Sequence, residues 1–240
     1  MYIRIAIAAV LLVFAVGVPT VQGSSGVDCS EVHYNATDPY EVWNIDQLQC
    51  MEPDEDYGIQ SDIDASETSG WNDGAGFEPV SAGNESDEFS GTLVGNGHNI
   101  SGLTVHRPRE DEVGLFGTVA SGGSVSNINI NDVNVTGDEN VGGLAGKVEE
   151  NAEVSDVTVD GELSGNSTVG GVVGANNGSI IGSASRAAVT GDTSTGNLVG
   201  VNNGVINSGN DSESELPAFA AIAILITFLL AVAAVIVKKR

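Results

Sequence analysis

The apolar and polar positions of this chain fall into three regimes. Residues 5–18 form one unbroken apolar run, and residues 216–237 form a second one. Between them, short apolar stretches alternate with Ser, Asn, Thr and Asp at a period of two, as in 125–135 and 154–159. Alternation of β-branched residues at this period predicts strands with one buried face. The middle region is therefore predicted to be all-β.

A glycine-bracketed apolar pair repeats along this middle region, at 114–117, 143–146, 171–174 and 196–200. The closing glycines are 29, 28 and 26 residues apart. Units of this size cannot bury an apolar face alone, but they bury it when they stack on one another. The repeat predicts a parallel β-helix whose positive-φ corners form at glycines and at Asn-Asn-Gly segments such as 176–178 and 202–204.

The repeat resembles the GLUG-repeat family of surface and adhesin-like proteins. The resemblance extends upstream, where 71–80, 89–93 and 95–105 look like the segment that precedes such repeats and 57–64 looks like an earlier coil. Together it covers about residues 40–208. It implies a right-handed β-helix on a cell surface, here over 57–207. It does not imply one activity, since such repeats occur in varied proteins.

The first apolar run is typical of a secretory signal. Arg4 supplies a positive start, the run is short for a membrane span, and small or compact residues follow it. We predict a signal peptide over 1–23 that is cleaved after Gly23, and the alternative is an uncleaved N-terminal anchor.

The second apolar run is long enough for a transmembrane helix over 216–237, and the basic tail 238–240 predicts a cytoplasmic C-terminus. The protein is then a single-pass cell-surface protein with an extracellular N-terminus. The linker 208–215 spans at most about 28 Å, which keeps the solenoid near the membrane. The alternative is removal of this helix, because residues 217–219 and the basic end resemble the C-terminal sorting signals of archaeal surface proteins. Ala218 stands where those signals usually carry Gly or Glu.

All 33 acidic residues lie between the two apolar runs, against four basic residues there. Such a surface repels phosphates and anionic lipids, which excludes nucleic acid as a partner. Strong acidity is typical of halophilic surface proteins, whose carboxylates are screened by salt. No cofactor is predicted, but calcium remains open, because acidic residues cluster at 54–56, 62 and 64.

Two cysteines, Cys29 and Cys50, lie in the predicted exported region, where a disulfide is the expected state. The disulfide would stabilise an N-terminal cap over 24–56. The alternative is a metal site formed by the two cysteines and His33. Glycosylation sequons predict a glycoprotein; they start at Asn35, Asn84, Asn99, Asn134, Asn166, Asn177 and Asn210.

The function predicted from these features is not enzymatic. We expect adhesion or cell-envelope interaction, with surface polysaccharide or protein as partners, and no catalytic or metal-binding residues. The alternative is a β-helix that binds or cleaves polysaccharide, with the charged segment 106–112 as its loop. We expect this segment to project from the coil as a solvated loop. The open C-terminal end of the solenoid is a possible protein-docking edge, because unpaired strands accept further strands.

Overall fold

The computed structural model describes residues 27–35, 37–80 and 88–207, and within them the chain is a parallel β-solenoid. It contains one short α-helix, α1 (Ile45–Gln49), and two 3-10 helices, Ser66–Gly70 and Asn72–Gly74. The strands are β1 (Tyr40–Val42), β2 (Tyr57–Ile59), β3 (Ile63–Asp64), β4 (Thr92–Val94), β5 (Asn99–Ser101), β6 (Thr104–His106), β7 (Phe116–Val119), β8 (Ser124–Thr136), β9 (Glu139–Gly142), β10 (Ala145–Val148), β11 (Glu153–Gly170), β12 (Val173–Asn176), β13 (Ser179–Ile181), β14 (Ala184–Ser185), β15 (Ala188–Gly196), β16 (Val199–Asn202) and β17 (Val205–Asn207).

The strands form a 13-stranded sheet and a four-stranded sheet, and all their pairings are parallel. In the larger sheet β8 pairs with β11, and β11 pairs with β13 and β15. The smaller sheet has the order β16, β12, β10, β7. Each coil thus lies on the previous one, which confirms the predicted all-β solenoid.

The core is built from columns of aliphatic residues that stack in register along the solenoid. One such column is Ile63, Ile100, Ile130 and Val159, each at most 2% exposed. These residues belong to the alternating apolar set of the sequence, so burial of one strand face confirms the alternation. Burial of each aliphatic side chain contributes about 1.5–3 kcal/mol to the free energy of unfolding. A coil buries these side chains only by stacking on its neighbours.

The corners of the coils are only partly where the sequence predicts them. The segments 176–178 and 202–204 do form turns, but their residues do not have positive φ angles. Glycine is required there by close approach instead, because a Cβ on Gly178 would lie 2.5 Å from the carbonyl oxygen of Glu149. The left-handed corners lie elsewhere, at Asn127, Asp156 and Gly182 on one edge and at Glu112, Asn140, Thr168 and Ser194 on another.

The N-terminal end of the solenoid is covered. The short helix α1 begins after Asn44, whose side chain accepts a hydrogen bond from the backbone N–H of Gln47. It buries Ile45 and Leu48. Cys29 and Cys50 are joined by a disulfide, with Cα atoms 5.4 Å apart. The solenoid pairing starts inside the segment 24–56, because β1 pairs with β2.

The C-terminal end of the described solenoid has a different character. Strands β16 and β17 are terminal in their sheets, and Val205 and Ile206 are 60% and 38% exposed. The core also becomes polar at this end. In the smaller sheet, a column that begins with Val119 and Val148 continues with Asn176 and Asn202. The side-chain amide of Asn176 donates to Asn202 Oδ1 at 2.7 Å. No helix in the described residues could span a membrane. The predicted segments 1–23, 208–215, 216–237 and 238–240 lie outside these residues.

Candidate binding surface

The larger sheet of the solenoid carries polar side chains in register from coil to coil. We call this surface the polar face; it consists of the outward positions of β5, β6, β8 and β11. These positions alternate with buried residues such as Ile130 and Val135, so the strand period itself turns them outward. The in-register columns are Asn99, Asn129 and Thr158; Thr104, Asn134 and Glu162; and His106, Thr136 and Ser164.

Hydrogen bonds between coils order the side chains of the polar face. Thr158 donates to the amide oxygen of Asn129 at 2.6 Å. The hydroxyls of Thr136 and Ser164 are 3.0 Å apart. Neighbouring strands are separated by about 4.8 Å, so the columns present hydroxyl and amide groups at a regular spacing. Such a surface can exchange hydrogen bonds with a ligand that repeats, either directly or through water.

The structure places five of the seven predicted sequons within the described residues, and they differ in accessibility. Asn35, Asn134 and Asn166 are exposed. Asn99 and Asn177 are half-buried, and each accepts a hydrogen bond through its amide oxygen from another asparagine. Asn84 and Asn210 lie outside the described residues. Since the polar face contains Asn99 and Asn134, a glycan at either position would cover part of it.

The charged segment 106–112 is a largely exposed turn, as expected, but two of its residues hold it against the neighbouring coils. His106 ends β6, which pairs with β8. The side chain of Arg107 is only 11% exposed; its Nε donates to the carbonyl oxygen of Phe77 at 3.2 Å, and its Nη1 pairs with Glu110 at 3.2 Å. The backbone N–H of Glu112 donates to the carbonyl oxygen of Glu139. These contacts tie the segment to the coils on either side of it.

A second ionic group lies next to this segment. Lys147 Nζ is 2.6 Å from Glu149 Oε1 and 3.9 Å from Glu112 Oε1. The hydrogen bond with Glu149 raises the pKa of Lys147 and holds the pKa of Glu149 below its ordinary value. This pair therefore contributes to the electrostatics of the coil rather than offering a neutral amine for proton transfer.

Three of the carboxylates considered for calcium accept backbone hydrogen bonds, two of them from the next coil. Asp56 accepts from the backbone N–H of Thr92 at 2.7 Å. Asp62 accepts from the backbone N–H of Asn99, which is the main cause of its lowered pKa. Asp64 caps the next turn. Across the described ranges, no three His, Cys, Asp or Glu side chains come together in a metal-binding group.

The sequence reasoning missed one exposed aromatic residue. Trp43 follows β1 and is 48% exposed. Its indole N–H lies 3.4 Å from a carboxylate oxygen of Glu41. A single tryptophan between Val42 and Asn44 gives no period and no motif, so no sequence signal separates it from a core residue.

Comparisons with known proteins agree with the solenoid. A model of the M26 IgA1-specific metallo-endopeptidase N-terminal region matches residues 52–161. The chain is similar to halomucin of Haloquadratum walsbyi, with 39% identity over 159 residues, which is 63% of this chain and 2% of that protein. It is also similar to an immunoglobulin A1 protease of Streptococcus sanguinis, with 32% identity over 99 residues, 40% of this chain and 5% of that one. The chain thus spans only a small part of these relatives.

A solved structure has the same fold. It is a candidate immunoglobulin A1 protease from Bacteroides ovatus, with a TM-score of 0.52 and 13% identity over 72% of this chain and 65% of that chain. At this identity the likeness concerns the fold alone. Together these similarities support a surface β-helix protein, and they transfer no catalytic role.

Proposed function

We propose that this chain is a non-enzymatic cell-surface protein that contacts envelope polysaccharide or surface proteins through its polar face. The observation that carries the proposal is the in-register stacking of Asn129 with Thr158 and of Thr136 with Ser164. Parallel pairing already brings outward residues into register, but it does not require the hydrogen bonds that join Thr158 to Asn129 and Thr136 to Ser164.

The chemistry of the polar face supports a polar, repeating ligand. Hydroxyl and amide groups both donate and accept, as sugar hydroxyls do. The formal net charge of −25 disfavours anionic polymers and is compatible with a high-salt setting. The similarity to halomucin supports the same setting.

The finer features of the proposal follow from the sequence. The repeats are of the GLUG type and wind in a right-handed sense. A signal peptide exports the chain, and a C-terminal anchor over 216–237 holds it on the membrane with its N-terminus outside. Retention of that anchor and its removal by a sorting enzyme remain the two alternatives.

A retention assay tests the proposal. The full chain, purified in detergent at high salt, is passed over immobilised envelope polysaccharide, while new reducing or unsaturated ends are measured. We expect retention without products. A Thr136→Val and Thr158→Val double variant removes two hydroxyls from the polar face and should be retained less. The matched control is Ser121→Ala, because Ser121 is exposed and lies in the turn before β8, outside the polar face.

Either of two results would count against the proposal. Products that appear with the purified chain would favour the polysaccharide-cleaving alternative. Equal retention of the double variant and of the control would show that the polysaccharide contact does not involve the polar face.

A second candidate function is protein docking at the C-terminal end of the solenoid. The last coil exposes Val205 and Ile206, and its only charged residues are Arg186 and Asp192 within 185–207. A nearly neutral edge in an acidic chain opposes association less than an acidic surface does. Photo-crosslinking from position 205 should capture a partner, whereas the same probe at Glu150, which is exposed and lies outside the polar face, should not. Equal capture at both positions would speak against docking.

A further inference from the structure

Trp43 is held rigidly although its ring is exposed. Its backbone N–H donates to Gln47 Oε1 at 2.8 Å, and its carbonyl oxygen accepts from the hydroxyl of Ser61 at 3.0 Å. The indole N–H lies 3.4 Å from Glu41 Oε2. Three contacts thus fix the backbone and the ring edge, which lowers the entropy cost of binding a ligand on the ring face.

The exposure of Trp43 is unusual within this molecule. The other tryptophan, Trp71, is 9% exposed, and Phe77, Phe89 and Phe116 are fully buried. A tryptophan offers a broad apolar face with a polar N–H at its edge. A face of this kind beside a carboxylate and an amide matches a ligand that has both apolar C–H surfaces and hydroxyl groups.

The charge around Trp43 restricts this ligand further. The described residues from 27 to 80 include 14 Asp and Glu and neither Lys nor Arg. Phosphates, sulfates and carboxylated sugars are repelled by such a field. A neutral glycan has no net charge and is not repelled by this field.

A source of neutral glycan lies next to the ring. Asn35 begins a sequon, and its Nδ2 donates to Glu41 Oε2, the oxygen that also accepts from Trp43. One carboxylate oxygen therefore separates the sugar-bearing amide nitrogen from the indole nitrogen. A glycosylated asparagine keeps one N–H, so this hydrogen bond can persist after modification.

We propose that the exposed face of Trp43 is a stacking platform for a pyranose ring of a neutral glycan. The inference rests on the proposed function in that it takes a glycan as the ligand class, but it places the contact at the N-terminal end and not on the polar face. The glycan on Asn35 and a free polysaccharide offer the same chemistry, and the test separates them.

Acrylamide quenching of tryptophan fluorescence tests the platform. The full chain in detergent at high salt is used, because Trp71 is buried and the uncharged quencher then reports mainly on Trp43. Dextran is the neutral probe, polygalacturonate is the anionic control, and polylysine tests for a cationic partner. Thr37→Ala deletes the sequon but leaves the Asn35 amide and its bond to Glu41 intact. Trp43→Phe gives the background from Trp71.

Two results support the platform. If the Asn35-linked glycan covers the ring, Thr37→Ala should raise the quenching constant about twofold, because a stacked sugar shields one of the two faces of the indole. If a free polysaccharide is the ligand, Thr37→Ala should change nothing, and dextran should lower the constant by a similar factor while polygalacturonate does not. Trp43→Ala should then weaken dextran binding about tenfold, which corresponds to about 1.4 kcal/mol.

The inference is overturned if neither Thr37→Ala nor dextran changes the quenching constant, or if polylysine alone lowers it. Its failure is separable from that of the proposed function. If Trp43→Ala leaves retention on envelope polysaccharide intact while the Thr136 and Thr158 double variant loses it, the polar face remains and the platform is excluded.

Discussion

Replacement of Ile130 by alanine measures how strongly one coil depends on its neighbours. Ile130 is fully buried and stacks in register between Ile100 and Val159. Truncation of a buried isoleucine costs about 2–5 kcal/mol, because it removes transfer free energy and leaves a cavity. Close stacking from both sides leaves little room for collapse, so we take a loss of about 3 kcal/mol.

The matched control is Ile206→Ala in the last coil. Ile206 has an in-register neighbour on one side, Ile180, and is 38% exposed. Its truncation removes the same atoms but opens no closed cavity, so we expect a cost of roughly 1 kcal/mol.

Urea unfolding followed by circular dichroism at high salt gives both values. With a denaturant slope of about 2 kcal/mol/M, the Ile130 variant should lower the midpoint by about 1.5 M and the Ile206 variant by about 0.5 M. Equal midpoint shifts would refute the reasoning, because the cost would then not depend on neighbours on both sides.

Three further predictions concern single contacts. Arg107→Gln should cost about 1–3 kcal/mol, because a buried carbonyl loses its charged donor, whereas exposed Arg109→Gln should stay within about 0.5 kcal/mol in the same unfolding assay. Glu149 has a lowered pKa in the folded state, so the stability that it contributes is present above its ordinary value of 4.5 and is lost as the pH falls through the lower folded value. Glu149→Gln should therefore flatten the loss of the unfolding midpoint below that pH, while Glu150→Gln serves as the control, and parallel acid curves would contradict this. Reduction of the disulfide, which separates its cysteines by 21 residues, should lower the midpoint by an amount equivalent to about 3 kcal/mol; a double serine variant should show no response to the reductant.

The repeat was readable from the sequence because each coil repeats a local pattern. Val113, Val141 and Val169 fall in one buried column, and the glycines after them mark the same step in each coil. Inward and outward positions then follow from a period of two. The polar face could be predicted from the same alternation, by aligning the outward residues of successive coils in the same way as the inward ones.

The features that were missed depend on partners distant in sequence or on very short elements. The burial of Arg107 follows from its contact with Phe77, 30 residues earlier. Helix α1 has five residues, too few for a 3.6-residue period to show. The position of Trp43 is fixed in part by Ser61, which lies 18 residues later in the chain.

The polar, open last coil gives the molecule a defined weak point under tension. If the chain is held at its C-terminal side, a pull on the solenoid reaches β17 first. That strand is bound on one side by β13, and the Asn176–Asn202 pair replaces apolar packing beside it. Peeling of this coil would free about 26 residues and lengthen the tether by up to about 90 Å at 3.3–3.6 Å per residue. The coils from β8 to β11, with aliphatic columns on both sides, would stay closed while the last coil yields and rewinds.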